Sequence, residues 1–96
     1  MTRPPRHPGK VLQTDFLEPL GVSQSEIARR IHVSFPRVNE IVNGRRGITP
    51  DTELRLSRLL GTTPEFWLDS QRDRDLWKAT HSEAAGNIES IQPLVP

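Results

Sequence analysis

Apolar positions recur at helical spacing along most of this 96-residue chain. Val11, Leu12, Phe16 and Leu17 mark one face of a first helix, opened by Pro8-Gly9 and ended by Pro19. Ile27, Ala28 and Ile31 form a second stripe, and Val38, Ile41 and Val42 a third. Leu54, Leu56, Leu59 and Leu60 supply the apolar residues of a fourth helix. Phe66, Trp67 and Leu68 are adjacent, so they cannot share one face; some fill the core and some form a second contact surface. This fifth helix runs through Leu76 and Trp77 to about Thr80. The pattern predicts an all-α domain.

The signals at the helix ends agree with these stripes. Ser23-Gln24-Ser25-Glu26 reads as a capping box, the Ser23 hydroxyl accepting the Glu26 N–H while the Glu26 carboxylate reaches back to the Ser23 N–H. His32-Val33 makes a tight turn, with Val33 as an apolar plug beneath it. Ser34 is the next N-cap, and Pro36 sits in a first turn where a missing N–H costs nothing. Asn43-Gly44 stops that helix, since both residues tolerate the left-handed conformation. Thr49 and Thr63 cap the last two helices, each followed by proline at the first helical position. Gly61 closes the fourth helix, and Asp51 and Glu53 complement its dipole.

Two short helices joined by a tight turn over residues 24–43, with small Ala28 at their close approach, match the helix-turn-helix pattern. Periodicity alone also fits an ordinary helical hairpin. The outer face of the second helix favours DNA: it carries Arg37, Asn39, Glu40 and Asn43, and Arg45-Arg46 follow at once. Net charge is only +1, but it is unevenly spread. Residues 1–50 hold eight Lys/Arg and four Asp/Glu, a net of +4, and residues 51–96 a net of −3. A basic half facing phosphate and an acidic half facing away, or facing a basic partner, fits this split. Arg3, Arg6, His7 and Lys10 are either phosphate contacts or a solvated arm.

Other chemistries are poorly served. There are no cysteines, and 33% apolar residues leave no surplus for a cofactor pocket. His7, His32 and His81 are too scattered for a metal site, and Asp69, Asp73 and Asp75 spread over more than one helix face among arginines. No phosphate loop or nucleophile elbow occurs. The reading is a non-enzyme without metal or cofactor. No apolar run approaches the roughly 18 residues of a membrane span, and the N-terminus lacks a secretory h-region. The expected location is cytoplasmic. The 80–96 tail is small and polar, then extended, with Ile88, Ile91, Leu94 and Val95 able to pair with another chain or to fray.

With SQSEIARRI, HVS, RVNEIVNGRRGIT and LRLSRLLGTTPEFWL in that order, the chain resembles the lambda-repressor-like (Xre/Cro) helix-turn-helix fold of five helices. More narrowly, HPG, FLEPLG, VNGRRGIT and PEFWL resemble the HigA-type antitoxins, also labelled VapI-like, over residues 3–79. The resemblance implies a 1–79 helix-turn-helix domain with an appended 80–96 tail. It implies a homodimer that binds a palindromic operator in its own promoter and neutralises a RelE-like (HigB) mRNA-cleaving toxin, with no catalytic role of its own. It gives Gln24 the task of bracing the recognition helix and touching a phosphate. Ser34 to Glu40 become the start of that helix, with Arg37 on guanine and Asn39 on adenine or phosphate. Asn43, Arg45 and Arg46 become the loop that holds the backbone.

Where relatives place polar or basic reading residues, this chain has Phe35-Pro36. Phe35 packs on a thymine methyl or turns inward, and Glu40 accepts from cytosine or pairs with Arg37 at i, i+3. The dimer interface is expected around Trp67, Leu76 and Trp77. Two other functions compete: a free-standing phage-type repressor, and a toxin-sequestering module with little DNA binding.

Overall fold

A computed structural model describes residues 4–95 of the chain; Arg3, one of the basic residues of the arm, lies outside them. Six helices follow one another, and among the described residues there is no strand. The first, α1 (residues 8–20), joins an α-helical turn Pro8–Val11, a π-helical turn Leu12–Leu17 and a closing turn Glu18–Leu20. Next come α2 (Gln24–Ile31), α3 (Phe35–Val42), α4 (Pro50–Leu60) and α5 (Pro64–Thr80). A short α6 (Ala85–Glu89) lies within the tail, where the sequence predicts loosely ordered and then extended chain.

Pro19 does not end α1. In a regular α-helix its ring would strike the carbonyl four residues back. Here the wider π turn precedes it, with the Glu18 N–H bonded to the Gln13 carbonyl five residues earlier. The helix stops two residues later at Gly21, in the left-handed conformation (φ 66°).

The core is built by α1 to α5 together. Leu12, Leu17, Ile27, Ile31, Val38, Ile41, Ile48 and Leu56 close around Trp67, which is fully buried. The Trp67 indole N–H donates to the Thr62 hydroxyl (2.8 Å), so its one polar atom is satisfied inside the core. Phe16 and Phe66 stand against it, ring centroids 5.5 and 4.9 Å away. Of the four leucines of α4, only Leu56 is buried. Leu60 is half-buried, and Leu54 and Leu59 face solvent, because Thr52, Glu53 and Ser57 share the inner face with Leu56.

One contact fixes α1 against α3. A Cβ on Gly9 would lie 1.7 Å from the Ile41 carbonyl oxygen. Only a glycine lets the two backbones approach so closely.

Candidate nucleic-acid interface

The α2–turn–α3 unit is held by local capping. Ser23 Oγ accepts the Glu26 N–H (3.1 Å), as the capping box requires. The return half is replaced: the Glu26 carboxylate takes Arg29 (2.6 Å) and Arg30 (2.5 Å) instead. These arginines hold its pKa down at about 2. His32 enters the left-handed region (φ 61°), and half-buried Val33 packs against the core below the turn. Ser34 Oγ then accepts the Arg37 N–H (3.3 Å), opening α3. At the far end Asn43 stays near helical values (φ −86°, ψ 7°), and Gly44 alone turns left-handed (φ 73°).

Three amides run across the two helices. Asn43 Nδ2 donates to Asn39 Oδ1 (3.1 Å), and Asn39 Nδ2 donates to Gln24 Oε1 (2.9 Å). Gln24 thus ties α2 directly to α3. Phe35 is 47% exposed at the first position of α3, beside exposed Pro36, so it does not turn inward. Exposed Arg45 and Arg46 follow the helix.

Arg37 and Glu40 do not pair. The Arg37 guanidinium reaches across to α4, donating to Asp51 (2.8 Å) and to the Thr52 hydroxyl. Glu40 takes Arg46 instead (2.8 Å). A guanine contact by Arg37 would require it to leave Asp51; as placed, it brackets α3 onto α4. Asp51 also holds Arg55 (2.9 Å), whose Nη1 donates to the Ile31 carbonyl at the end of α2 (2.9 Å). Hydrogen bonds from Arg55, then Arg37, lower the Asp51 pKa. Sequence reasoning missed this tie: Asp51 and Arg55 stand at i, i+4, but Arg37 reaches Asp51 across 14 residues and Arg55 reaches Ile31 across 24, which no short-range rule links.

The basic arm is anchored. Arg6 forms a bidentate pair with Asp15 (2.9 and 3.1 Å), and His7 Nδ1 accepts the Gly9 N–H (2.9 Å) as the N-cap of α1. The Pro5 carbonyl accepts from Arg74 of α5 (2.8 Å). Exposed Lys10 is the cation of the arm's described part that enters no ion pair among the described residues. Desolvation, reinforced by Arg74 and Lys78, pushes the His7 pKa down.

Of the expected dimer residues, Trp67 offers no surface; it is the centre of the protomer's own core. Trp77 is half-buried and stacked on His81 (centroids 4.1 Å apart). Leu76 is 58% exposed and opens onto an apolar groove of about 300 Å³ with Ala79, Ala85 and Ile88. No described helix is long and apolar enough to cross a membrane, and no described group of three His, Cys, Asp or Glu residues can hold a metal ion.

Comparison with known proteins matches the helix-turn-helix family model to residues 15–67, more than half of the chain. Virulence-associated protein I of Dichelobacter nodosus is 44% identical over 91 residues, covering 95% of this chain and 82% of that protein. The solved structure of antitoxin GraA in complex with its operator is 42% identical, with a TM-score of 0.89 over 99% of this chain and 95% of that one. That of Pseudomonas aeruginosa antitoxin HigA with the higBA promoter is 36% identical, with a TM-score of 0.88 over 95% and 99%.

Proposed function

This chain belongs to the HigA-type antitoxins of the helix-turn-helix family, and on that premise we propose that it binds the operator of its own promoter as a homodimer and represses a toxin–antitoxin operon. It further neutralises a RelE-like, mRNA-cleaving toxin encoded beside it. It has no catalytic role and acts in the cytoplasm. The observation that carries the DNA reading is the surface of α3. The amides of Gln24, Asn39 and Asn43 are ordered there before any ligand arrives, and Arg45-Arg46 flank them.

Phe35, Pro36, Ser34 and Asn39 face the major groove in this reading, with exposed Phe35 placed to meet a thymine methyl. Gln24, Asn43, Arg45 and Arg46 hold phosphates. Glu40 orients Arg46, and Arg37 positions α3 rather than reading a base. Residues 1–79 carry DNA binding. Residues 80–96 help form the dimer through the Leu76–Ile88 groove, which takes over the part assigned to Trp67. A second copy there would set two recognition helices about one turn (~34 Å) apart.

The test is a titration against duplex from the chain's own upstream region, beside a scrambled duplex, at two salt concentrations. Tight, selective binding that weakens steeply with salt is expected. Equal affinity for both duplexes would instead favour the toxin-sequestering reading. For the dimer, Leu76→Glu should sediment as a folded monomer; an unchanged dimer would remove this groove from the interface.

A further inference from the structure

A cleft of about 440 Å³ lies outside the helix-turn-helix, between the loop after α3 and the outer face of α5. Four cations line it, Arg45 and Arg46 from the loop and Arg74 and Lys78 from α5, against one carboxylate, Asp75. Its walls are tied together. Gln71 Oε1 accepts the Ile48 N–H (2.8 Å) and its Nε2 donates to Asp75 (2.9 Å), which joins loop to helix and occupies the one acid. Arg74 is steadied on the Pro5 carbonyl (2.8 Å). Arg45, Arg74 and Lys78 enter no salt bridge among the described residues. A chain of net charge +1 has thus gathered a net +3 around one concavity. Like charges held together repel, and an anion between them relieves that repulsion.

Resting on the operator-binding reading above, we infer that this cleft seats a phosphodiester of the DNA backbone, with Lys78 and Arg74 of α5 extending the phosphate contact begun by Arg45 and Arg46. The two groups added from α5 read no base, since the Lys78 ammonium is a point charge and the Arg74 guanidinium is already fixed to the Pro5 carbonyl. Its part is to set the angle at which the recognition helix meets the duplex, because α5 and α3 pack on the same core. His7 shares the cleft.

Lys78 is the residue to change, being exposed and free of any side-chain bond among the described residues, so Lys78→Gln leaves the fold intact. Binding of wild type, Lys78→Gln and, as a surface control, Arg58→Gln is measured on operator and scrambled duplexes across a salt series. One lost phosphate contact should flatten the log–log salt slope by about 0.9. If the effect vanishes near 1 M salt, that slope corresponds to about a fivefold loss at 0.15 M. The loss should be equal on both duplexes, with Arg58→Gln unchanged. An unaltered slope for Lys78→Gln would overturn the proposal, and so would a loss confined to the operator, which would mark a base contact. If wild type shows no preference for operator, the repressor reading fails, yet the slope on scrambled duplex still decides the cleft.

Discussion

Replacing Gly9 with alanine tests how the recognition helix is held. The added methyl would fall 1.7 Å from the Ile41 carbonyl oxygen, 2.5 Å from its carbon and 3.0 Å from Val42 Cα. Ordinary contact begins near 3.4 Å, so α1 and α3 must separate by more than an ångström. The obstacle is helical backbone, which has no rotamer to change. Overpacking of this kind costs about 1–3 kcal/mol, occasionally more. Alanine's better helix propensity returns at most about 1 kcal/mol, and less at a helix start. A net loss of about 2 kcal/mol lowers Tm by roughly 8–16 °C in a domain of this size. Gly86→Ala is the control: it lies in α6 with nothing within 4 Å of the new methyl. Thermal unfolding by circular dichroism reads both variants. DNA titration should also show a loss for Gly9→Ala, since the clash falls on the last turn of α3, just before the Asn43–Arg46 loop. A Gly9→Ala protein melting within a degree or two of wild type would refute the close-approach reasoning.

Arg37→Ala should lower Tm and weaken binding to operator and unrelated duplex by the same factor, because Arg37 positions α3 through Asp51 and Thr52; a loss of base preference at one operator position would show direct reading instead. Glu53 is buried, and its Oε2 has no hydrogen-bond partner among the described residues. Burial, then Glu65 and Asp69, raises its pKa above 4.5. The folded state therefore binds that proton more tightly, and its stabilising effect, full below pH 4.5, is lost as pH rises through the raised value. Glu53→Gln should accordingly raise Tm at pH 7, and a lower Tm there would contradict the assignment. His7 has the opposite sign: its folded pKa is depressed below 6.5, so stability is full above that pH and falls as pH drops through the lowered value. His7→Asn, which keeps a capping acceptor for the Gly9 N–H, should flatten that part of the Tm–pH curve, as measured by calorimetry.

Much of the helical frame was legible because its signals are local. Apolar stripes at 3.6-residue spacing, Ser34 and Thr49 as hydroxyl caps, and Gly44 and Gly61 as left-handed stops all act within a turn or two. Thr63 marks its helix start correctly, yet its hydroxyl makes no capping bond. What escaped was decided across space. Trp67 and Trp77 look alike in sequence, but one is the centre of the core and the other stacks on His81 near the surface. Glu40 satisfies a helical pairing rule with Arg37, yet each finds a better-placed partner, one on another helix and one in the following loop. The α5 cleft depends on Gln71 meeting Ile48, 23 residues away, and on Arg74 meeting Pro5, 69 residues away. Pro19 misled for a different reason: the rule that proline ends a helix assumes regular α winding, and the π turn Leu12–Leu17 suspends it.

The amide series from Asn43 through Asn39 to Gln24 has a direction. Each amide spends a donor on the oxygen of the next, so the row is polarised from end to end. It terminates in the Gln24 Nε2 donors, which meet no acceptor among the described residues, at the first residue of α2 where the backbone N–H groups also point outward. An electronegative atom arriving there finds the Gln24 amide already held by its bond to Asn39. Part of the roughly 1.5–2 kcal/mol of rotamer freedom that a loose glutamine would surrender on docking has been given up during folding. Substituting Asn39 would therefore act at a distance: it leaves Gln24 in place chemically but releases it to swing, converting a rigid prong into a tether.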